Sequence, residues 1–87
     1  MEYMESTDNG SDFARAIVQI ERGKGCAIFL FERLDSPLPE RDYFWDVEDE
    51  FADVCFESWG IEKNSWGPVK DRSILNFLPE FRNSRED

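Results

Sequence analysis

The chain has 87 residues, a length that fits one domain near the lower end of what folds around a single core. Its 20 Asp and Glu against 10 Lys and Arg leave a formal net charge of -10, and 15% of its residues are aromatic. This charge disfavours nucleic acid and anionic membranes as partners, and the aromatic content excludes a disordered acidic tail.

Residues 1–10 are polar and end in Asn9-Gly10, so they are predicted to be a flexible lead-in. A single domain is expected over 11–81, followed by a charged tail at 82–87. The opening MEYMESTDNG lacks the apolar core of a signal peptide, and no run in the chain is long enough to span a membrane. The protein is therefore expected to be cytoplasmic.

The segment 12–22 is open between two structures. Its AIVQI run is rich in β-branched residues and favours a strand, whereas Ser11 could cap a helix that ends before Gly23. The short link of Gly23-Lys24-Gly25 to the apolar run CAIFLFER, residues 26–33, favours a β-hairpin. Because that run is almost continuously apolar, it predicts a central strand covered on both faces.

Cys26 and Cys55 each lie inside an apolar run. A free cysteine in such a setting behaves as a small hydrophobic residue, so two buried thiols are expected, with a disulfide as the alternative. Neither cysteine has the cationic neighbours that lower a thiol pKa.

One amphipathic helix is predicted over 39–60, PERDYFWDVEDEFADVCFESWG, after the proline-containing connector 34–39. Gly60 stands where a left-handed cap is needed, and Ile61 follows it for the usual hydrophobic contact. Apolar residues recur at the spacing of one buried helix face, namely Phe44, Val47, Phe51, Val54 and Cys55.

The opposite side of the predicted helix carries only carboxylates. No Lys or Arg lies between Arg41 and Lys63, so the like-charge repulsion along the helix is expected to be uncompensated. At 3.6 residues per turn the acids would form a stripe about 22 Å long. We take this stripe as the candidate partner-binding surface, with a solvated face that keeps the domain soluble as the alternative. Its members are Asp42, Asp46, Asp49, Glu50, Asp53 and Glu57.

Residues 61–71 are predicted to form a loop with Gly67-Pro68 as its turn. Trp66 in this loop is a candidate hot spot beside the acidic face, and a lid folded back onto the core is the alternative. The last apolar segment, 72–78, is either an edge strand, which we prefer, or one helical turn that packs Ile74, Phe77, Leu78 and Phe81. The elements together predict a small α+β domain, in which an antiparallel hairpin or sheet packs against one acidic amphipathic helix.

No enzymatic chemistry is expected. The chain has no histidine, so it lacks the commonest general base and the Ser-His and Cys-His nucleophile systems. The two separated cysteines do not make a zinc site, the run DVEDE lacks the alternation of a calcium loop, and no glycine-rich phosphate loop occurs. We therefore predict no catalytic residues, no cofactor and no metal. Four basic residues of the hairpin are expected to balance the acids rather than to bind phosphate: Arg15, Arg22, Lys24 and Arg33.

In size, acidity and the segment DYFWDVEDEFADVCFE, the chain resembles the small acidic inhibitors encoded by phages and mobile elements. These include anti-CRISPR proteins, anti-restriction proteins and the uracil-glycosylase inhibitors that mimic DNA. The resemblance implies a stoichiometric inhibitor in the host bacterial cytoplasm, which occupies the basic nucleic-acid-binding site of a Cas effector or another nuclease. Carboxylates one helical turn apart are separated by about 5–6 Å, a spacing comparable to that of successive phosphates. Two alternatives are an immunity protein or antitoxin against a basic nuclease toxin, and an acidic adaptor or regulatory domain.

Overall fold

The computed structural model describes residues 2–78, and within them the chain forms a five-stranded sheet and one α-helix. The sheet order is β4-β3-β2-β1-β5, and every neighbouring pair is antiparallel. The predicted α+β single domain is confirmed. The elements are β1 (Glu2–Thr7), β2 (Arg15–Glu21), β3 (Gly25–Phe31), β4 (Arg41–Trp45), α1 (Phe51–Trp59) and β5 (Trp66–Gly67), with short 3-10 segments at Glu48–Glu50, Lys63–Ser65 and Arg72–Phe77.

The predicted hairpin is formed by β2 and β3, which pair from Arg15 opposite Phe31 to Glu21 opposite Gly25. The helical alternative for 12–22 is therefore wrong, and the β-branched residues of β2 decide the local structure. All residues of β3 are buried, which confirms the predicted central strand covered on both faces.

The sheet buries a separate core on each face, because successive side chains of a strand point to opposite faces. On one face Val18, Ile28 and neighbouring residues pack with Cys55 and Ile61 beneath α1. On the other face Ile17, Ala27, Phe29 and Phe31 pack with Val69 and Ile74 from the C-terminal part of the described chain. Two faces that both exclude water explain why the apolar run of β3 does not alternate.

The flexible lead-in predicted for residues 1–10 is wrong. Residues Glu2–Thr7 form β1, which pairs with β2 over its whole length and with β5 at one end. Ser6 in this strand is fully buried and shares a hydrogen bond with the Ser65 hydroxyl at 2.5 Å. The Glu5 carboxylate lies 3.2 Å from Arg15 Nε of β2. Ser65 and β5 are distant in sequence, and the polar composition of the segment conceals its place in the sheet.

The single helix predicted over 39–60 is wrong in its N-terminal half. Residues Arg41–Trp45 form the edge strand β4, in which Trp45 lies opposite Cys26 and Arg41 lies opposite Leu30. Pairing with β3 satisfies backbone groups along the second edge of that strand, and consecutive aromatic residues suit a strand better than a helix. Phe44 therefore lies on the sheet face opposite α1, rather than beside Phe51 on one helix face.

The predicted end of the helix is confirmed. Gly60 has φ 75° and ψ 21°, in the left-handed region that glycine adopts without a Cβ penalty. Its N–H donates to the Phe56 carbonyl at 2.9 Å, and the Ile61 N–H donates to the Cys55 carbonyl at 3.3 Å. Ile61 is fully buried in the core beneath α1, as the hydrophobic contact of this motif requires.

The edge strand preferred for 72–78 is also wrong, since Arg72–Phe77 is a 3-10 segment. The Asp71 carboxylate accepts hydrogen bonds from the Ser73 N–H at 3.1 Å and the Ser73 hydroxyl at 2.6 Å, which starts the turn. The sheet edge beside β1 is already occupied by β5, and Ile74 covers the second core instead. Phe81 and the tail 82–87 lie outside the described residues.

Both cysteines are buried as free thiols, in agreement with the sequence-based expectation. Burial raises the pKa of Cys26 to about 11 and that of Cys55 to about 12, so both stay protonated at neutral pH. We expect Ellman's reagent at neutral pH to leave the native protein unlabelled and to titrate both thiols once the protein is unfolded in guanidinium chloride. Rapid labelling of the native protein, or no labelling of the unfolded protein without reductant, would contradict this placement.

Candidate protein-binding face

The six carboxylates predicted as one stripe are divided among several elements. Asp42 lies on β4 opposite Phe29, and so projects on the sheet face away from α1. Asp46 follows the end of β4, Asp49 and Glu50 lie in the first 3-10 segment, and Asp53 and Glu57 lie on α1. The continuous stripe is therefore wrong, because it required helix from Asp42 onwards.

A shorter acidic face remains where the prediction of a helix was correct. Glu50, Asp53 and Glu57 are spaced at i, i+3 and i+7, and they line one groove together with Trp45, Val54 and Ser58. Seven residues of helix span about 10 Å. We call this set of three carboxylates the acidic face. Glu50 and Glu57 form no ion pair within residues 2–78, so their charge is directed to solvent.

Three acids in or beside this groove have their charge partly neutralised by groups from outside residues 39–60. They are Glu48, Asp49 and Asp53. Lys63 Nζ lies 2.9 Å from Asp53 Oδ1, and Arg22 Nη1 lies 2.7 Å from Asp49 Oδ1. The Gly23 N–H donates to Glu48 Oε2 at 2.8 Å and lowers the pKa of that carboxyl. The expectation of uncompensated repulsion is therefore wrong for Asp49 and Asp53. Such exposed pairs are weak because water screens them, so a partner can displace them.

An exposed aromatic side chain forms the other wall of the groove. Trp45 is 41% exposed, and its indole Nε1–H donates to Glu50 Oε1 at 3.1 Å. Tyr43, two residues earlier on the same side of β4, is 39% exposed and packs against Trp59 with ring centroids 5.0 Å apart. Trp45 was not among the predicted site residues. The sequence signal for it is an aromatic residue next to an acidic turn, and its exposure follows only once β4 is known to be an edge strand.

Protein-family models, curated proteins and solved structures offer no match to this chain.

The structure does not place Trp66 at the acidic face. Trp66 is half-buried against the core beneath α1, and its ring meets Phe51 edge-on with centroids 5.1 Å apart. Its indole Nε1 is buried and has no hydrogen-bond partner in the described part of the chain. The structure therefore supports the alternative, in which Trp66 covers the core. Trp66 is no longer a candidate contact for a partner.

The basic residues of the hairpin do not form a free cationic patch. Each lies in an ion pair with a carboxylate: Arg15 with Glu5, Arg22 with Glu2 and Asp49, Lys24 with Glu21, and Arg33 with Asp35. A phosphate would have to displace these acids, so the hairpin is expected to bind nucleic acid weakly.

Among residues 2–78, no group of three or more Cys, Asp and Glu side chains is placed to hold a metal ion. No helix in the same range has the length and apolar character needed to cross a bilayer. What the described surface offers is a groove with one aromatic wall and one acidic wall, which suits binding of a cationic group.

Proposed function

We propose that this protein is a stoichiometric inhibitor that acts in the cytoplasm and occupies the basic nucleic-acid-binding site of a target protein. The target class is a Cas effector or another nuclease, as for the phage-encoded inhibitors that the chain resembles. The observation that carries the proposal is the acidic face, Glu50, Asp53 and Glu57, beside the exposed indole of Trp45.

The charge of the whole molecule supports the same kind of partner. A net charge of -10 on 87 residues attracts a basic surface over a distance and raises the association rate. A site that has evolved to neutralise phosphates presents Lys and Arg at a spacing that carboxylates about one helical turn apart can meet. The footprint is shorter than a continuous stripe would give, since only the face on Glu50 and α1 keeps this spacing.

The proposal is tested by capture of proteins from a bacterial lysate on the immobilised protein, with elution at graded salt and identification by mass spectrometry. We expect a basic nucleic-acid-binding protein to be retained, and Glu50→Gln combined with Glu57→Gln to weaken its retention about tenfold. Asp53 is left intact in this variant because Lys63 already pairs with it.

The matched control removes two charges at the opposite end of the sheet. Asp8 and Asp12 lie in the loop between β1 and β2 and, like Glu50 and Glu57, form no ion pair within residues 2–78; Asp8 has φ 52°, a conformation that asparagine tolerates. We expect Asp8→Asn with Asp12→Asn to change retention by less than about twofold. Equal losses in the two variants would assign binding to net charge alone, and full retention by the Glu50 and Glu57 variant would refute the proposed face. A captured nuclease toxin, in place of a Cas effector, would identify an immunity protein.

A further inference from the structure

The outer edge of β4 is the longer of the two open sheet edges in the described residues. β4 has five residues and pairs only with β3, whereas β5 at the other edge has two residues and is followed by Pro68. Four of the five β4 side chains are exposed. An open edge presents a row of backbone N–H and C=O groups that another strand can pair with.

Of the three β4 side chains on the α1 side of this edge, Arg41 is charged, and the other two are aromatic, exposed and held in place. Tyr43 is packed against Trp59, and the Trp45 indole is hydrogen-bonded to Glu50. Val47, just beyond the strand, is 47% exposed. Protein edges are usually protected by charges, prolines or a covering segment. Within residues 2–78, Arg41 and Asp42 supply charges at the start of this strand, whereas its end at Tyr43 and Trp45 carries no charge or proline and so suits an added strand.

The groove beyond Trp45 indicates which side chain the added strand carries. Trp45 and Val54 offer apolar surface, while Glu50 and Glu57 offer carboxylates. A side chain that fits both has an aliphatic stem and a cationic head, which describes Lys and Arg. The cation can also lie over the indole face, where the ring quadrupole attracts it.

Charge decides between a second copy of this chain and a different partner. Pairing of two β4 edges would bring together two molecules that each carry a net charge of -10, and would place their acidic grooves close to one another. A basic segment would be attracted, and not repelled, by the same carboxylates.

We propose that an extended segment of a basic partner adds to the outer edge of β4 as a further strand and places one Lys or Arg side chain between Trp45 and α1. Main-chain hydrogen bonds then provide affinity, and the side-chain groove provides specificity. This inference rests on the proposed function for the charge of the partner, and it adds the mode of docking.

The test uses a nine-residue peptide, acetylated and amidated, in which threonine alternates with arginine. One control peptide carries the neutral isostere citrulline in place of arginine, and another is N-methylated at every backbone amide and keeps its charge. Binding is followed by nitrogen–proton correlation spectra of the full chain. The indole resonance of Trp45 is assigned by its loss in Trp45→Phe, and amide hydrogen exchange of β4 is measured in parallel.

We expect the arginine peptide to shift the Trp45 indole resonance in a saturable way and to slow exchange of outward-facing β4 amides. Both control peptides should bind at least about tenfold more weakly. Glu50→Gln with Glu57→Gln should weaken binding of the arginine peptide, and Asp8→Asn with Asp12→Asn should not. Equal binding of the N-methylated peptide refutes strand addition, and equal binding of the citrulline peptide refutes the cationic groove. Absence of any saturable shift refutes both.

The outcomes separate this inference from the proposed function. If lysate capture depends on Glu50 and Glu57 but the N-methylated peptide binds unchanged, the proposed function stands and the strand addition is wrong. If the peptide binds as expected but no basic protein is captured, the edge is a docking site and the proposed inhibitor function is wrong.

Discussion

Phe29→Ala is expected to lower the free energy of unfolding by about 3–5 kcal/mol, the range for removing a large aromatic side chain from a core. Phe29 lies near the middle of β3 and is fully buried in the second core, which also contains Ile17 and Ile74. A domain of this size has a total stability of about 5–15 kcal/mol, so the variant loses a large part of it. Urea denaturation followed by circular dichroism measures the change.

The control for this variant is Phe56→Ala, which removes the same side chain from the surface. Phe56 on α1 is 44% exposed, and its ring lies 5.3 Å from Lys63 Nζ. We expect its loss to change the free energy of unfolding by less than about 1 kcal/mol. Similar losses for the two variants would contradict the placement of β3 between two packed faces.

The part of the fold that was predicted correctly depends on local signals. The hairpin of β2 and β3 follows from β-branched residues on both sides of a short glycine-containing link, and its partners are adjacent in sequence. The central position of β3 follows from its apolar run, since a strand with a solvated face would alternate. The end of α1 follows from Gly60 and Ile61, which form their hydrogen bonds within one turn.

β1 was missed because its composition is mostly polar, although it pairs with the next strand, β2, over its whole length. It contains only Tyr3 and Met4 as large apolar residues, too few for a strand pattern to be recognised. Its polar residues have partners on other elements: Ser6 shares a hydrogen bond with the distant Ser65, and Glu5 lies beside Arg15 of β2. No local pattern contains this information, because it depends on which strand lies alongside.

The error over β4 has a different cause. Phe44, Val47 and Phe51 fit helical spacing, and the consecutive aromatic residues Tyr43, Phe44 and Trp45 show no polar–apolar alternation that would indicate a strand. The local sequence does not separate a helix from a strand over so short a segment. Pairing with the open edge of β3 decides between the two structures. The adjacent aromatics Tyr43-Phe44-Trp45 are the one local signal that favoured the strand.

The candidate site changed with the fold. Glu50, Asp53 and Glu57 stay together because their spacing lies in the true helical part of the segment, whereas Asp42 and Asp46 depended on helix that does not form. Trp45 enters the site and Trp66 leaves it, since exposure of an aromatic residue is set by tertiary packing rather than by its neighbours in sequence.

Gly25→Ala is expected to lower the free energy of unfolding by about 2–4 kcal/mol and to disturb the candidate site as well. Gly25 has φ 123°, a conformation that side chains of L residues rarely adopt. A Cβ there would also clash with the Trp45 carbonyl oxygen and would lie 3.2 Å from the Asp46 carbonyl carbon. Both contacts are to backbone, so the end of β4 has to move away from β3.

Gly23→Ala in the same turn separates the two contributions. Gly23 has φ 81°, but a Cβ there would have no neighbour within 4 Å. We expect only the left-handed backbone penalty of about 1–2 kcal/mol, with β4 left in place. Thermal or urea denaturation measures both variants, and the excess loss in Gly25→Ala reports the close approach of β4.

The same pair of variants tests whether the position of β4 controls the groove. The Trp45 indole is held by Glu50 at 3.1 Å, and displacement of the end of β4 has to lengthen or break that hydrogen bond. We expect folded Gly25→Ala to show a shifted Trp45 indole resonance and weaker binding of the arginine peptide, and folded Gly23→Ala to retain both. If Gly25→Ala binds the peptide as the wild type does, the groove does not depend on where β4 ends. The carboxylates alone would then account for binding of the peptide, and the aromatic wall formed by Trp45 would add nothing to it.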